Sequence, residues 1–308
     1  MRSRGTVESR PRVVGGIVAL VTVGAAVAVA CARAPQEPPR AGPPPESPTP
    51  TVALPMTKVT IYYLIDFGGR MWLAPERHEV AEQPRTCRAA LEEFVRGEPQ
   101  DPDHLTPIPA AARILDLTIT DGLTTVDWSA EVLEATTGSE GEALGIQSIV
   151  WTLTEFLTVD RVRFTVEGKV EGTASNGRPI QDWWGHVGLH EQPFGRAKAI
   201  EVLEPITVWS PADGAAVGQT FRVVGEASTF EANVPIRIFD AGGALVQTEV
   251  ATATEGGPGR GTFDIQITIE SLPPSPETWR LEAYEVNQET GADFFVESRR
   301  IEVEAATA

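Results

Sequence analysis

RILDLTITDGLTTVDW, residues 113–128, sets two apolar-alternating runs, 113–120 and 123–128, on either side of Asp121-Gly122. Asp-Gly between such runs is a strong hairpin signal, because both central positions of the favoured two-residue turn need positive φ. Helical patterns lie on both sides of the hairpin. Over residues 85–96, Cys87, Ala90, Leu91, Phe94 and Val95 fall on one face of a 3.6-residue period, and Gly97 with Pro99 ends it. Downstream, Ser139 and Glu142 have the spacing of a capping box. They open a predicted helix over about residues 141–157, with Ile146, Ile149, Val150, Leu153 and Leu157 on one side. Further out, Val59, Ile61, Tyr63 and Ile65 alternate as in a strand, and residues 161–167 read as a closing strand. The order β-(β)-α-β-β-α-β predicts an α+β domain over residues 57–200, a small sheet with two helices on one face.

From Ile206 the pattern changes. ITVWS, TFRVVGEA, PIRIFD, ALVQTEVAT, GTFDIQITI, WRLEAYEV and FFVESRRIEVE are short strand-like runs separated by Gly- and Pro-rich turns. Their spacing predicts an all-β sandwich over residues 204–304, with Phe263, Ile265, Ile267 and Ile269 inward. No Cys…Trp…Cys pattern accompanies these strands, so the sandwich is immunoglobulin-like without the disulfide.

The amino terminus carries an export signal. MRSRGTVESRPR is basic, and residues 13–30 then run without a charge up to Cys31. Ala28-Val29-Ala30-Cys31 has the form of a bacterial lipobox, with Ala28 where Leu is usual. Residues 1–30 are therefore expected to be a signal peptide and Cys31 to be lipidated. An uncleaved membrane anchor over residues 13–30 is the alternative, since 18 apolar residues just reach across a bilayer. Either way the domains lie outside the cytoplasm, held at the extracytoplasmic face of the cell membrane. With Cys31 acylated, Cys87 has no cysteine left to pair with, so the cores alone must stabilise the fold. Residues 31–56 form a linker. Eight of its residues 32–50 are Pro, which favours extended polyproline II. At about 3.1 Å per residue this spacer reaches roughly 60 Å.

Across all 308 residues, 25 Lys and Arg stand against 43 Asp and Glu, a net charge of −18. Such a surface repels phosphate backbones, which excludes nucleic acid as a partner.

Two segments carry a family resemblance. LEEFVRGEP, IPAAARILDLTITDGLTTVDWS and SIVWTLTEFLTVDRVRFTVEGK resemble the GerMN domain of bacterial sporulation and germination proteins and of some actinobacterial envelope lipoproteins. ITVWSPADGAAVGQTFRVVGEASTFEANVPIRIFDAGGALV with GRGTFDIQITI resembles the immunoglobulin-like domain of bacterial spore germination. The resemblance implies extracytoplasmic, non-enzymatic domains, similar to modules that assemble membrane complexes.

A search for chemistry returns little. His186 and His190, followed by Glu191, are spaced like metal ligands on a helix, but Gly185, Gly188 and Pro193 argue against a helix there. Cys87 falls on an apolar face and reads as a small buried hydrophobe. Glu92, Glu93, Glu297 and Glu302 read as solvated surface. Asp240, Asp264 and Asp293 lack a calcium-loop pattern. No G-x-S-x-G or phosphate-binding loop occurs. Trp183 and Trp184 have two readings: lids on one end of the core, or an exposed platform for a sugar or protein partner. The expectation is a non-catalytic envelope lipoprotein, without cofactor or metal, that binds or scaffolds envelope proteins. A module binding cell-wall polymer (peptidoglycan or another carbohydrate) or a wall-acting hydrolase is the alternative.

Overall fold

The computed structural model describes residues 55–82, 86–135, 138–185 and 187–306. The expected signal peptide, Cys31, most of the linker and His186 lie outside these residues.

β1 (Met56–Phe67) and β2 (Arg70–Ala81) form a long antiparallel hairpin, in register from Met56↔Ala81 to Phe67↔Arg70. Gly68 and Gly69 turn it with φ of +64° and +83°, which side chains other than glycine rarely adopt. β3 (His104–Leu105) pairs with the far end of β1, giving the sheet order β2-β1-β3. Pro75 is tolerated because β2 is an edge strand. A second sheet holds β4 (Ile114–Thr120), β5 (Leu123–Trp128) and β6 (Arg161–Val166) in that order. β4 and β5 are the hairpin expected around Asp121-Gly122, whose φ values are +49° and +77°. β5 and β6 are parallel, so their connection must cross over, and α2 (Gly138–Thr154) supplies the crossover. α1 (Thr86–Arg96) precedes β3.

The α+β class is as expected, but the strands divide between two three-stranded sheets rather than one. β1 is the reason. Tyr62 and Leu64 are buried on one face, and Val59, Ile61 and Tyr63 on the other, so β1 is an inner layer. Two helix details also differ. α2 stops at Thr154, which leaves Leu157 fully exposed. Ser139 lies inside the helix and not at its cap, and a carboxylate oxygen of Glu142 accepts the Val187 N–H at 3.1 Å.

A one-turn helix, α3 (Ala199–Val202), leads into the sandwich. Its strands are β7 (Ile206–Ser210), β8 (Ala215–Val217), β9 (Thr220–Ala227), β10 (Asn233–Phe239), β11 (Leu245–Thr252), β12 (Gly261–Thr268), β13 (Glu277–Val286) and β14 (Asp293–Val303). Order β11-β10-β13-β14-β8 faces order β12-β9-β7. β8 is the strand not anticipated from the sequence; three residues are too few to show alternation, and it runs parallel to the end of β14.

Three apolar cores result, and the β1–β2 hairpin enters all of them. Val59, Ile61, Tyr63 and Val80 pack with α1, α2 and the β4–β6 sheet. Tyr62, Leu64 and Leu73 pack with Leu144, Trp151, Val202 and Leu203. Ile65, Trp72 and Ala74, at the hairpin tip, belong to the core of the sandwich. There Phe67 meets Phe295 at 5.4 Å between centroids, and Trp72 meets Phe294 edge-on at 6.3 Å.

Because the cores share this hairpin, urea should unfold both domains in one transition, followed by hydrogen exchange in β5 and β13. Trp72→Ala should cost about 3–5 kcal/mol and separate the two. Independent unfolding in the wild type would contradict a shared core.

Candidate functional site

The hairpin brings charged side chains, as well as apolar ones, to the junction between the domains. On β2, Glu76 and His78 are two apart and therefore share a face, and both are buried. Glu76 accepts four hydrogen bonds. His104 Nδ1 (2.6 Å) and the Asp101 N–H (3.0 Å) reach Oε1, while His78 Nε2 (2.8 Å) and the Gln100 N–H (2.7 Å) reach Oε2. Burial pushes this carboxyl up, but the bonds from His104, His78 and the two backbone amides outweigh it and hold it well below the ordinary carboxylate range. His78 also donates through Nδ1 to Glu93 at 3.1 Å. Both its ring nitrogens face carboxyl oxygens, which favours the imidazolium form. Burial works against that charge, yet the bonds to Glu76 and Glu93 raise its pKa; His104 is likewise raised, by Glu76 and the nearby Glu204.

The sandwich supplies the opposite wall. On β14, Phe295, Glu297, Arg299, Ile301 and Val303 all point inward. Arg299 donates to Asp101 at 2.5 Å, pairs with Glu297, and reaches the Val208 carbonyl at 3.4 Å. Glu204, in the connection between domains, accepts from the Thr207 hydroxyl at 2.6 Å. Arg260 donates at 2.6 Å to both the Glu204 carbonyl and the Thr207 hydroxyl. Burial raises the carboxyls of Glu204 and Glu297. Glu297 is pushed up to about 8, Arg299 opposing and Glu204 adding to the effect. Beside this network a cleft of about 260 Å³ opens, with Lys58, Asp213 and the half-buried Trp209 on its walls. The Arg77 guanidinium lies 4.1 Å from the centre of the Trp209 ring. Glu76 is held by two imidazoles and two backbone amides and Glu297 by Arg299, whereas Glu204 has the Thr207 hydroxyl on one oxygen and no hydrogen-bond partner on the other.

The residues singled out in the sequence lie elsewhere. Trp183 and Trp184 are 2% and 6% exposed, so neither indole offers an open platform. Trp183 stacks on Phe164 at 5.2 Å, and Trp184 Nε1 donates to the Val132 carbonyl at 2.6 Å. Gly145 makes the space, since a Cβ there would meet the Trp184 ring at 2.6 Å. His190 and Glu191 are exposed on a short 3-10 turn, and Cys87 is buried on α1. Among the described residues no group of three or more His, Cys, Asp or Glu has the geometry to hold a metal ion. Glu297, expected at the surface, is 2% exposed, because Arg299 beside it provides a buried counter-charge. Glu93 is also partly enclosed, held by His78 and Arg96. A signal was present in the sequence: Glu297 and Arg299 occupy the same alternating positions as Phe295 and Ile301, which is the inward register.

Comparison with known proteins defines the class first. Residues 60–172 match the family described as sporulation and spore germination, and residues 205–292 match the immunoglobulin-like domain of bacterial spore germination. The chain thus joins a GerMN domain to an immunoglobulin-like germination domain, and these segments belong to those two families. Among individual proteins, it is similar to the spore germination protein GerM of Bacillus subtilis, 29% identical over 125 residues. That match covers 39% of this chain and 33% of GerM, so it spans about a third of the curated relative. The tandem GerMN domains of the same protein align at 24% identity over 49% of this chain and 50% of theirs, with a TM-score of 0.37. The first of those domains aligns at 26% identity over 41% and 95%, with a TM-score of 0.33.

The junction makes stability pH-dependent. His78, His104, Glu204 and Glu297 bind protons more tightly folded than unfolded, so their contribution is complete below the unfolded pKa values and lost as pH rises through the folded ones. Glu76 acts oppositely, its contribution falling away only in acid below its unfolded value of 4.5. Urea stability should therefore decline between about pH 5 and pH 8, and Glu297→Gln should flatten the decline. A flat wild-type profile would rule out these assignments. Arg299→Met, which leaves Asp101 and Glu297 without their cation, should cost about 3–5 kcal/mol.

Proposed function

We propose that the chain is a non-catalytic, lipid-anchored scaffold at the extracytoplasmic face of the cell membrane, holding envelope proteins of a sporulation- or germination-type assembly. The observation that carries this reading is the junction. Two domains of the germination class share the β1–β2 hairpin and a buried ionic network, so their surfaces keep a fixed mutual geometry. A scaffold needs that property, whereas a flexible pair of modules would impose no geometry on its partners. The lipobox at Cys31 and the Pro-rich spacer support the tether. The net charge of −18 favours protein partners with basic faces over anionic polymers.

Photo-crosslinking in cells should trap discrete envelope proteins with the wild-type chain. Cys31→Ser should lose a palmitate-analogue label, leave the membrane fraction and lose those partners. If the wild type traps none while remaining membrane-bound and folded, the scaffold role fails and the tether stands.

A further inference from the structure

β2 is the edge strand of its sheet, and the direction of its backbone groups follows from the turn. Gly68-Gly69 is a two-residue turn, which makes Phe67↔Arg70 a hydrogen-bonded pair, and the register continues without a shift to Met56↔Ala81. Hydrogen-bonded pairs alternate with open ones, so Leu73, Pro75 and Arg77 direct their backbone groups away from β1. Two contacts agree. The Glu204 N–H donates to the Leu73 carbonyl at 3.0 Å, beside a parallel bridge of Leu203 with Leu73. Gln100 Nε2 donates to the Arg77 carbonyl at 2.9 Å. The chain thus begins a parallel pairing along β2 at residues 203–204 and then abandons it. Pro75 is the cause: it has no N–H for the Glu204 carbonyl, which accepts from Arg260 at 2.6 Å instead. The next rung of that ladder does not need the missing N–H. It consists of the Pro75 carbonyl and the Arg77 N–H, and neither has a partner among the described residues. Both residues line the cleft of about 260 Å³ beside Trp209.

The charge left over in this cleft is positive, although the chain as a whole carries −18. Of the acids on its walls, Asp101 is taken by Arg299, Asp213 by Arg300, and Glu76 by its imidazoles and amides. Lys58 and Arg77 are exposed, and neither forms an ion pair among the described residues. Arg77 stacks on Trp209 through the face of its guanidinium, which leaves the in-plane N–H donors free. Lys58 stands on the same face of the hairpin, since Lys58↔Glu79 and Thr60↔Arg77 are alternate pairs of the ladder.

We propose that this cleft binds an extended acidic peptide segment, which adds one parallel rung to the edge of β2. The peptide residue opposite Glu76 gives its N–H to the Pro75 carbonyl and accepts the Arg77 N–H on its own carbonyl. Side chains alternate along a strand, so its two neighbours lie on the face of Arg77 and Lys58. Carboxylates there meet the free guanidinium edge and the Lys58 ammonium, with the Trp209 ring behind them. A phosphate polymer would satisfy the cations but has no N–H for the Pro75 carbonyl, which favours a peptide. The inference rests on neither the lipid tether nor the scaffold role.

The probe is a capped, dye-labelled hexapeptide of alternating aspartate and valine, titrated with the full chain in mild detergent at about 0.1 M salt. Its fluorescence anisotropy should rise to saturation, and a lysine–valine peptide of the same length should not bind. Arg77→Met should weaken binding about tenfold, the loss of one charge-assisted hydrogen bond. Lys58→Met should weaken it less. Both side chains are exposed, so the thermal transition of each variant should match the wild type. Hydrogen exchange at the Arg77 amide should slow when the aspartate–valine peptide is bound, which a merely charged patch would not produce. Absence of saturable binding to the wild type would overturn the proposal, as would binding that leaves the Arg77 amide exchanging at its free rate.

Discussion

In β1 both sides of the pleat are apolar, and a strand with no polar face has to be covered on both sides. Tyr63 and Ile61 need one core, Tyr62 and Leu64 another, and the hairpin tip with Ile65 and Trp72 extends past the first domain altogether. The strand is therefore buried among layers supplied by distant parts of the chain: α1, α2 and the β4–β6 sheet over Ile61 and Tyr63, α2 and α3 over Tyr62 and Leu64, and the sandwich at the tip. The remaining architecture follows. The helices have a surface to pack on, the second three-stranded sheet lies beyond them, and the sandwich is fixed to the first domain by side chains it does not itself encode.

The ionic junction extends this arrangement to polar groups. Moving a charge out of water costs several kcal/mol even after relaxation, and only dense hydrogen bonding offsets that cost. Glu76 meets the requirement with all four acceptor positions filled, two by imidazoles and two by backbone amides. Glu204 and Glu297 have fewer donors, the Thr207 hydroxyl for one and Arg299 for the other, and burial raises both carboxyls. The same interface thus contains a carboxylate that stays charged and carboxyls that burial drives towards neutrality. The count of their hydrogen-bond donors separates the two cases.

Local signals were legible in the sequence where local physics decides the structure. Asp121-Gly122 gives a hairpin because its turn demands positive φ, and α1 follows from a period that Gly97 and Pro99 end. β2 was harder to see. Pro75, Glu76, Arg77, His78 and Glu79 resemble a solvated turn, and only His104, Glu93 and the edge position of Pro75 make a half-buried strand of them. Those partners lie 15 and 28 residues away from His78 and Glu76. Glu297 stands in the inward register of β14, yet it resembled surface because the cation that accompanies it, Arg299, is itself a residue type that reads as solvated. The junction was therefore hidden while the elements around it were readable. Trp183 and Trp184 show the converse case, a polar, Gly-rich loop whose two large rings turn inward because Gly145 leaves room for one of them.

The tip of the β1–β2 hairpin also bears on how such chains are assembled and inherited. A sequence boundary near residue 204 separates two unlike domains, yet Ile65, Trp72 and Ala74 belong physically to the downstream one. Recombination at that boundary would deliver a sandwich with an apolar hole on one flank, sticky towards any unrelated neighbour. The two modules can be exchanged only together, or with a hairpin that already fits. Such a chain evolves as a single unit whose two halves must change in step.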